Sequence, residues 1–255
     1  MNNTEPEEVI ELFAEICILL ISNGASSGRT RRNIHRIASA FGYDLEMFFS
    51  HSAVIVTATN LSTGQKSTAV KALLHHRVNF NIISEISILS WQVTEEKLSY
   101  QQLKAELQEI RKIAPYSELT KVLLVSLAVA ALCKIFGGNL TEFFIAFFSS
   151  VFGFIGRKFM LSRHYNINIS WFVGAFVSVT FVNFFQLLGF DVKSALSSCV
   201  LWLIPGVPLI NGFIDVLEGH LVSGSAKLLM GMILIFMIAA GFCLSLFLFG
   251  YGFRS

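Results

Sequence analysis

Between Leu119 and Phe249 the chain strings together apolar segments, and these decide what it can fold into. Five are legible: about 119–136, 140–159, 167–188, 192–217 and 228–249. A helix rises ~1.5 Å per residue and a bilayer core is ~30 Å thick, so ~20 apolar residues cross it. Each segment is near or above that length. Gly137-Gly138-Asn139 separates the first two and predicts a tight antiparallel hairpin.

Composition places the rest of the chain elsewhere. Of the 36 Lys, Arg, Asp and Glu residues, 25 fall within residues 1–121. The expected architecture is therefore an N-terminal α+β soluble domain, residues 1–116, and an all-α polytopic membrane domain, residues 117–255. The second has five transmembrane helices, the fourth broken by Pro205 and Pro208. A net charge of +2 over 255 residues excludes a polyanion partner, so no nucleic acid is expected. Cys17, Cys133, Cys199 and Cys243 are far apart, sit in apolar helical patterns and have no ligand spacing. They read as small buried side chains, and neither metal nor cofactor is expected. The acidic amino terminus lacks the layout of a signal peptide, so the soluble domain should stay cytoplasmic.

Within that domain, Thr4 and Glu7 form a capping-box pattern before Ile10, Phe13, Cys17, Leu20 and Ile21, which recur at helical spacing up to Asn23-Gly24. A second helix, about Gly28 to Phe41, has an apolar stripe of Ile34, Ile37 and Ala38. Its opposite face carries Arg29, Arg32 and Arg36. That basic face reads as a solvated surface with acidic helices to pair with, or as a contact for anionic lipid. Three β-prone runs follow, Leu45–Phe49, Ala53–Thr59 and Lys66–Leu73, with a Ser62-Thr63-Gly64-Gln65 turn between the last two. They predict a small antiparallel meander. Two more helices carry Ile82, Ile83, Ile86, Leu89 and Val93, then Leu103, Leu107, Ile110 and Ala114 behind Ser99-x-x-Gln102. Pro115 closes the domain. The histidines His35, His51, His75 and His76 form no recognised catalytic or metal pattern, so His75-His76-Arg77 reads as a polar rim rather than an enzyme site.

In the membrane domain Arg111, Lys112 and Lys121 precede the first span, and Arg157, Lys158 and Arg163 lie between the second and third. By the positive-inside rule both sets are cytoplasmic, which places the carboxyl terminus, with Arg254, outside. Lys227 is the basic residue of the fourth-to-fifth connection. Lys134 is open to three readings: snorkelling to the interface, facing the bundle interior as an anion site, or pairing with Glu142.

The segment Leu201-Trp-Leu-Ile-Pro-Gly-Val-Pro-Leu-Ile-Asn-Gly-Phe-Ile-Asp215 carries the functional argument. Proline inside a helix removes a backbone hydrogen bond at a cost of about 3 kcal/mol, and lipid offers the freed groups no water. Irregular backbone at that depth is tolerated only where it is buried in protein or lines a wet cavity, which suggests a binding site or a pathway as against a kink satisfied by neighbouring helices. Pro208 suits the first turn of a restarted helix, whose free N–H groups favour a carboxylate. Asn211 and Asp215, four apart, share a face, and Gly212, Gly219 and Gly224 leave room for close approach. The expected substrate pathway is thus Pro205, Gly206, Pro208, Asn211, Gly212, Asp215 and Lys134. Asp215, Glu218 and His220 are the candidates for proton coupling.

These residues carry a resemblance. Asn23-Gly24-Ala25, the meander, Val78-Asn79, Cys133-Lys134 before Gly137-Gly138, and above all Pro205-Gly-Val-Pro-Leu-Ile-Asn-Gly212 with Asp215 and Gly219 are similar to the threonine/serine exporter family of bacterial inner-membrane proteins. The chain resembles the larger subunit of its split, two-component form. The resemblance implies export of hydroxy-amino acids or of a dicarboxylate such as succinate. It also implies a second small multi-span subunit, because fused members continue into another membrane half while this chain stops at Ser255. The expected protein is an oligomeric, bilayer-embedded exporter of a small carboxylate or amino acid. The alternative is a membrane-anchored sensor whose soluble domain binds a ligand.

Overall fold

The computed structural model describes residues 6–50, 52–73 and 78–249. The Thr4 half of the capping box, His51, His75-His76-Arg77 and Arg254 lie outside the described residues. The chain forms two compact units. The first takes residues 1–115 together with 207–229; the second takes 116–206 and 230–255. Besides residues 1–115, the first unit contains Val207–Leu229, which covers part of the expected fourth span and the connection after it.

The first unit opens with helices α1 (Pro6–Ser22) and α2 (Ser27–Ala40). The meander follows as β1 (Tyr43–Phe49), β2 (Ala53–Asn60) and β3 (Lys66–Ala72), antiparallel in the order β1-β2-β3. Period-two alternation sets its faces. Val54, Val56 and Ala58 of β2 are buried, whereas Ile55 between them is exposed. Helices α3 (Phe80–Glu95) and α4 (Tyr100–Arg111) complete the run. Ile82, Ile83, Ile86, Leu89 and Val93 of α3 join Leu103, Leu107 and Ile110 of α4 in one core with Phe13, Ile16, Leu20, Ile34 and Ile37. Ala114, expected on that stripe, is exposed beyond the end of α4. The Ser99–Gln102 capping box forms as its spacing dictates.

The arginine face of α2 is neither bare nor paired with acidic helices throughout. Arg29 donates to Ser87 Oγ (3.2 Å) and Arg36 to Ser90 Oγ (2.6 Å), with the Arg36 guanidinium 3.7 Å above the Trp91 ring. Cation–π contact and serine hydroxyls on α3 do the work expected of carboxylates.

The second unit contains α5 (Glu118–Ile135), α6 (Leu140–Ser162), α7 (Ile167–Leu187), α8 (Lys193–Ser198) and a single 3-10 turn at Leu201–Leu203. Helix α9 (Gly206–Leu217) follows the break at Ile204-Pro205, and α10 (Leu221–Leu248) runs unbroken. Most of α9 and the first turns of α10 belong to the first unit. Small residues set the packing of α6 on α7: a Cβ at Gly153 would lie 2.0 Å from Ser178 Oγ and 3.0 Å from the Gly174 carbonyl. On the outer face of α6, Phe144, Phe148, Phe152, Ile155 and Phe159 are exposed, as lipid-facing side chains are.

Among the described residues three helices, α6, α7 and α10, are long and apolar enough to cross a membrane, or four if α8 to α9 is one broken span. Five are not shown. Helix α5 has the length, but Glu118, Lys121 and Lys134 fall within its 18 residues, which lowers its apolar character. The last helix begins at Leu221 rather than near Leu228, because Ser223, Gly224 and Ser225 are tolerated in a helix; Lys227 therefore lies inside α10 and not in a connection. All four cysteines are free, but Cys243 is exposed rather than buried.

Candidate functional site

The site is built by the α9–α10 hairpin and the loop that joins α1 to α2, all within the first unit. Helix α1 ends at Gly24, whose φ of +99° a side chain would resist, with Ala25 N–H returning to the Leu20 carbonyl (3.0 Å). Ser26 then caps α2, its hydroxyl accepting from Arg29 N–H (3.2 Å). That satisfies one of the free amides of the helix start and leaves Ser27 N–H.

Asp215 takes it. The Asp215 side chain is fully buried, and its Oδ1 accepts from Ser27 N–H at 2.8 Å. Its Oδ2 accepts from Ser27 Oγ (2.7 Å) and from Lys227 Nζ (2.6 Å). Ser223 Oγ lies 3.0 Å from both Oδ2 and Ser27 Oγ, so its one proton serves either. The carboxylate thus meets a helix N-terminus, two hydroxyls and an ammonium, the groups that stabilise a buried anion. A buried ion pair is tolerable only when its remaining lone pairs are satisfied, as they are here.

The same face of α9 continues on both sides. One turn earlier, Asn211 Nδ2 donates to the Gly24 carbonyl (2.7 Å). Nearly one turn later, Glu218 pairs with Arg32 of α2 (3.2 Å) while its carboxyl lies over Gly28. A Cβ at position 28 would fall 1.6 Å from Glu218 Oε2. Asn211, Asp215 and Glu218, at i, i+4 and i+7, therefore clasp the loop 24–28 along one helical stripe. Val78 flanks Gly24 and Asn79 N–H donates to the Asn23 carbonyl (3.1 Å), so segments far apart in sequence meet here.

The hairpin is tight for a physical reason. A Cβ at Gly212 would sit 3.0 Å from the Gly224 carbonyl, and one at Gly224 would sit 2.8 Å from the Gly212 carbonyl. Gly219 acts differently from these two: nothing crowds it, and its φ of +86° turns the chain out of α9 while His220 N–H closes on the Asp215 carbonyl (2.7 Å). His220 packs edge-on against Phe49 of β1, with ring centroids 5.9 Å apart. Beside it a cavity of about 180 Å³ is lined by Met47, Phe49, His220, Leu221 and Ser223, among others.

The other expected site residues are placed as follows. Pro205 forms the break before α9, and Pro208 is the third residue of α9, in its first turn. Pro205, Gly206 and Lys134 belong to the second unit. Lys134 donates to the Gly138 carbonyl (2.9 Å), four residues on, closing the α5–α6 turn. Glu142 accepts from Asn139 N–H (3.0 Å) and Ser194 N–H (2.8 Å), so its carboxylate serves backbone amides. Sequence reasoning missed Ser27, Ser223 and Lys227. The available signal was a lysine twelve residues after a buried-face aspartate, across a glycine turn.

The sequence matches the threonine/serine exporter family over residues 11–249. It is 24% identical over 253 residues to a Klebsiella aerogenes protein named "Probable succinate transporter subunit YjjP", covering 98% of this chain and 97% of that one. It is 25% identical over 254 residues to the Escherichia coli K12 protein of the same name, covering 98% of each. No solved structure matches. With nearly its whole length inside the match, this chain belongs to the threonine/serine exporter family, membrane transporters and not enzymes.

Proposed function

We propose that this chain is one subunit of an inner-membrane secondary exporter that moves a small carboxylate-bearing metabolite out of the cytoplasm with proton coupling. The substrate is a succinate-type dicarboxylate or threonine/serine, and a second small membrane subunit completes the transporter. The observation that carries the reading is Asp215: fully buried, ion-paired to Lys227, and flanked by Asn211 and Glu218 on a broken helix. Ionisable groups placed this way in transporters relay protons, because changing their charge changes which contacts the fold can keep. The succinate in the relatives' names and their description as subunits support the substrate class and the partner. Family resemblance and the Arg157, Lys158 and Arg163 cluster support a cytoplasmic N-terminal domain with the carboxyl terminus on the far side. The proposed pathway residues are Pro205, Gly206, Pro208, Asn211, Gly212 and Asp215, with Glu218 and His220 as further proton carriers and Lys134 as a candidate anion contact.

The test is efflux of labelled succinate and threonine from proteoliposomes holding both subunits under an imposed pH gradient. Asp215→Asn is expected to cut proton-driven efflux at least tenfold. Unchanged, still proton-coupled efflux from that variant would remove Asp215 from the role. No flux of either substrate from any combination of subunits would instead favour the sensor alternative.

A further inference from the structure

We infer that the groups now holding Asp215 are themselves the carboxylate-binding position of the transport cycle, with Lys227 as the cation that the substrate and Asp215 share in turn. The inference rests on the exporter reading above. Three observations carry it. The cradle of Ser27 N–H, Ser27 Oγ, Ser223 Oγ and Lys227 Nζ converges on one carboxylate at 2.6–3.0 Å, a donor set that fits any carboxylate of similar size. Its present occupant belongs to the protein. And Ser223, which contacts Oδ2, also lines the cavity beside His220 and Phe49, so the cradle adjoins space. Its volume of about 180 Å³ leaves room for a small acid.

The exchange follows from charge. Lys227 is part-buried at 16% side-chain exposure and cannot be left without an anion. While Asp215 is ionised it fills the cradle. When Asp215 takes a proton it loses its claim on Lys227, and a substrate carboxylate entering by Ser223 replaces it; release of the proton reverses the order. A ligand shifts such an equilibrium only by its preference for one state, and here the preference is direct competition for one ammonium. Among the described residues the other charged or titratable groups near the cradle are Glu218, just past the end of α9 and held by Arg32 of α2, and His220 in the turn. The Glu218–Arg32 pair is neutral as a unit. His220 lines the same cavity as Ser223.

The experiment measures succinate binding to the purified two-subunit transporter by calorimetry between pH 5.5 and 8, alongside efflux. Wild type should bind more tightly as pH falls. Asp215→Asn should bind about tenfold more tightly than wild type at pH 7.5, with little pH dependence, even though its proton-driven efflux is lost. A merely structural Asp215 would not give tighter binding. Lys227→Gln should lose binding at least tenfold. Because that change strands a buried carboxylate, Asp215→Asn/Lys227→Gln is the companion: neutral, folded by size-exclusion and thermal unfolding, and still unable to bind. If wild type exports succinate but binding by the double variant stays within twofold of wild type, or Asp215→Asn binds no more tightly, the inference falls and the exporter reading stands. If wild type exports neither succinate nor threonine, the reading itself fails and takes the inference with it.

Discussion

In the first unit the buried carboxylate of Asp215 is met by an amide, two hydroxyls and an ammonium, whereas in the second unit Ser126 Oγ, Arg157 Nε, Trp171 Nε1 and Asn183 Oδ1 are buried without a hydrogen-bond partner. Both units bury polar groups and each leaves some unpartnered, His35 Nε2 in the first among them, but the Asp215 carboxylate is held by four donors at once. Orphaned buried atoms are rare in native proteins and usually take water or another chain. The contrast is between one carboxylate that the chain itself over-determines and scattered buried atoms for which the described residues supply no hydrogen bond.

The largest expected break in that contrast is Lys227→Ala. Removing one partner of a buried pair leaves an uncompensated charge, at about 3–5 kcal/mol. Arg32 lies only five residues after Ser27 on α2, but it is 62% exposed in its pair with Glu218, so Arg32→Ala should cost below about 1 kcal/mol. Denaturant unfolding of the purified protein would rank the two. Equal losses would show that the Asp215 cluster is not the closed network described here.

A second comparison uses two capping boxes of the same design, one in each unit. Ser99 and Gln102 start α4 at an exposed site; Asn139 and Glu142 start α6, with Glu142 only 4% exposed and also holding Ser194 N–H. Ser99→Ala should cost about 1 kcal/mol. Glu142→Ala should cost more, about 2–3 kcal/mol, because a buried carboxylate that accepts from two part-buried amides at once is removed. Thermal unfolding would check the order, and a Glu142 variant as stable as the Ser99 variant would show that the Ser194 contact adds nothing.

The smallest effect concerns His35 of α2, whose Nε2 is buried without a partner. Burial, and then the nearby Arg31, lower its pKa below the ordinary 6.5, with Asp44 opposing. The unfolded chain therefore binds the proton more readily than the folded one. This contribution to stability is complete above about pH 6.5 and is lost as pH falls through the lowered value. His35→Gln should flatten the decline in stability below pH 6.5, followed by unfolding at several pH values. An unchanged slope would assign the decline to other groups.

What could be read from the chain divides along the same line. The meander, the α3 and α4 stripes and the Ser99 cap were legible because alternation, helical period and capping are local rules. On α9, the spacing of Asn211 and Asp215 gave the polar stripe and the glycines gave close approach. What that stripe faces was not legible: Ser27 lies 188 residues earlier, and no local pattern links a helix start to a carboxylate that distant. Lys227 was missed for a different reason. It was expected in the fourth-to-fifth connection, whereas the helix starts at Leu221 and runs through it, with Gly224 packed on Gly212. The exposed Cys243 and the charged α5 show the same limit, since apolar composition says that a segment is helical but not which side meets protein.

Position 28 holds a glycine because the carboxyl of residue 218 occupies the space where a side chain would begin. The two positions are therefore not free to drift separately: a lineage that acquires a methyl at 28 must first shorten or redirect 218, and one that lengthens 218 loses nothing only while 28 stays bare. Any sequence of this family can be checked for that pairing by eye, and a chain with a larger residue at 28 and glutamate at 218 would have to turn that carboxylate away from the start of its second helix.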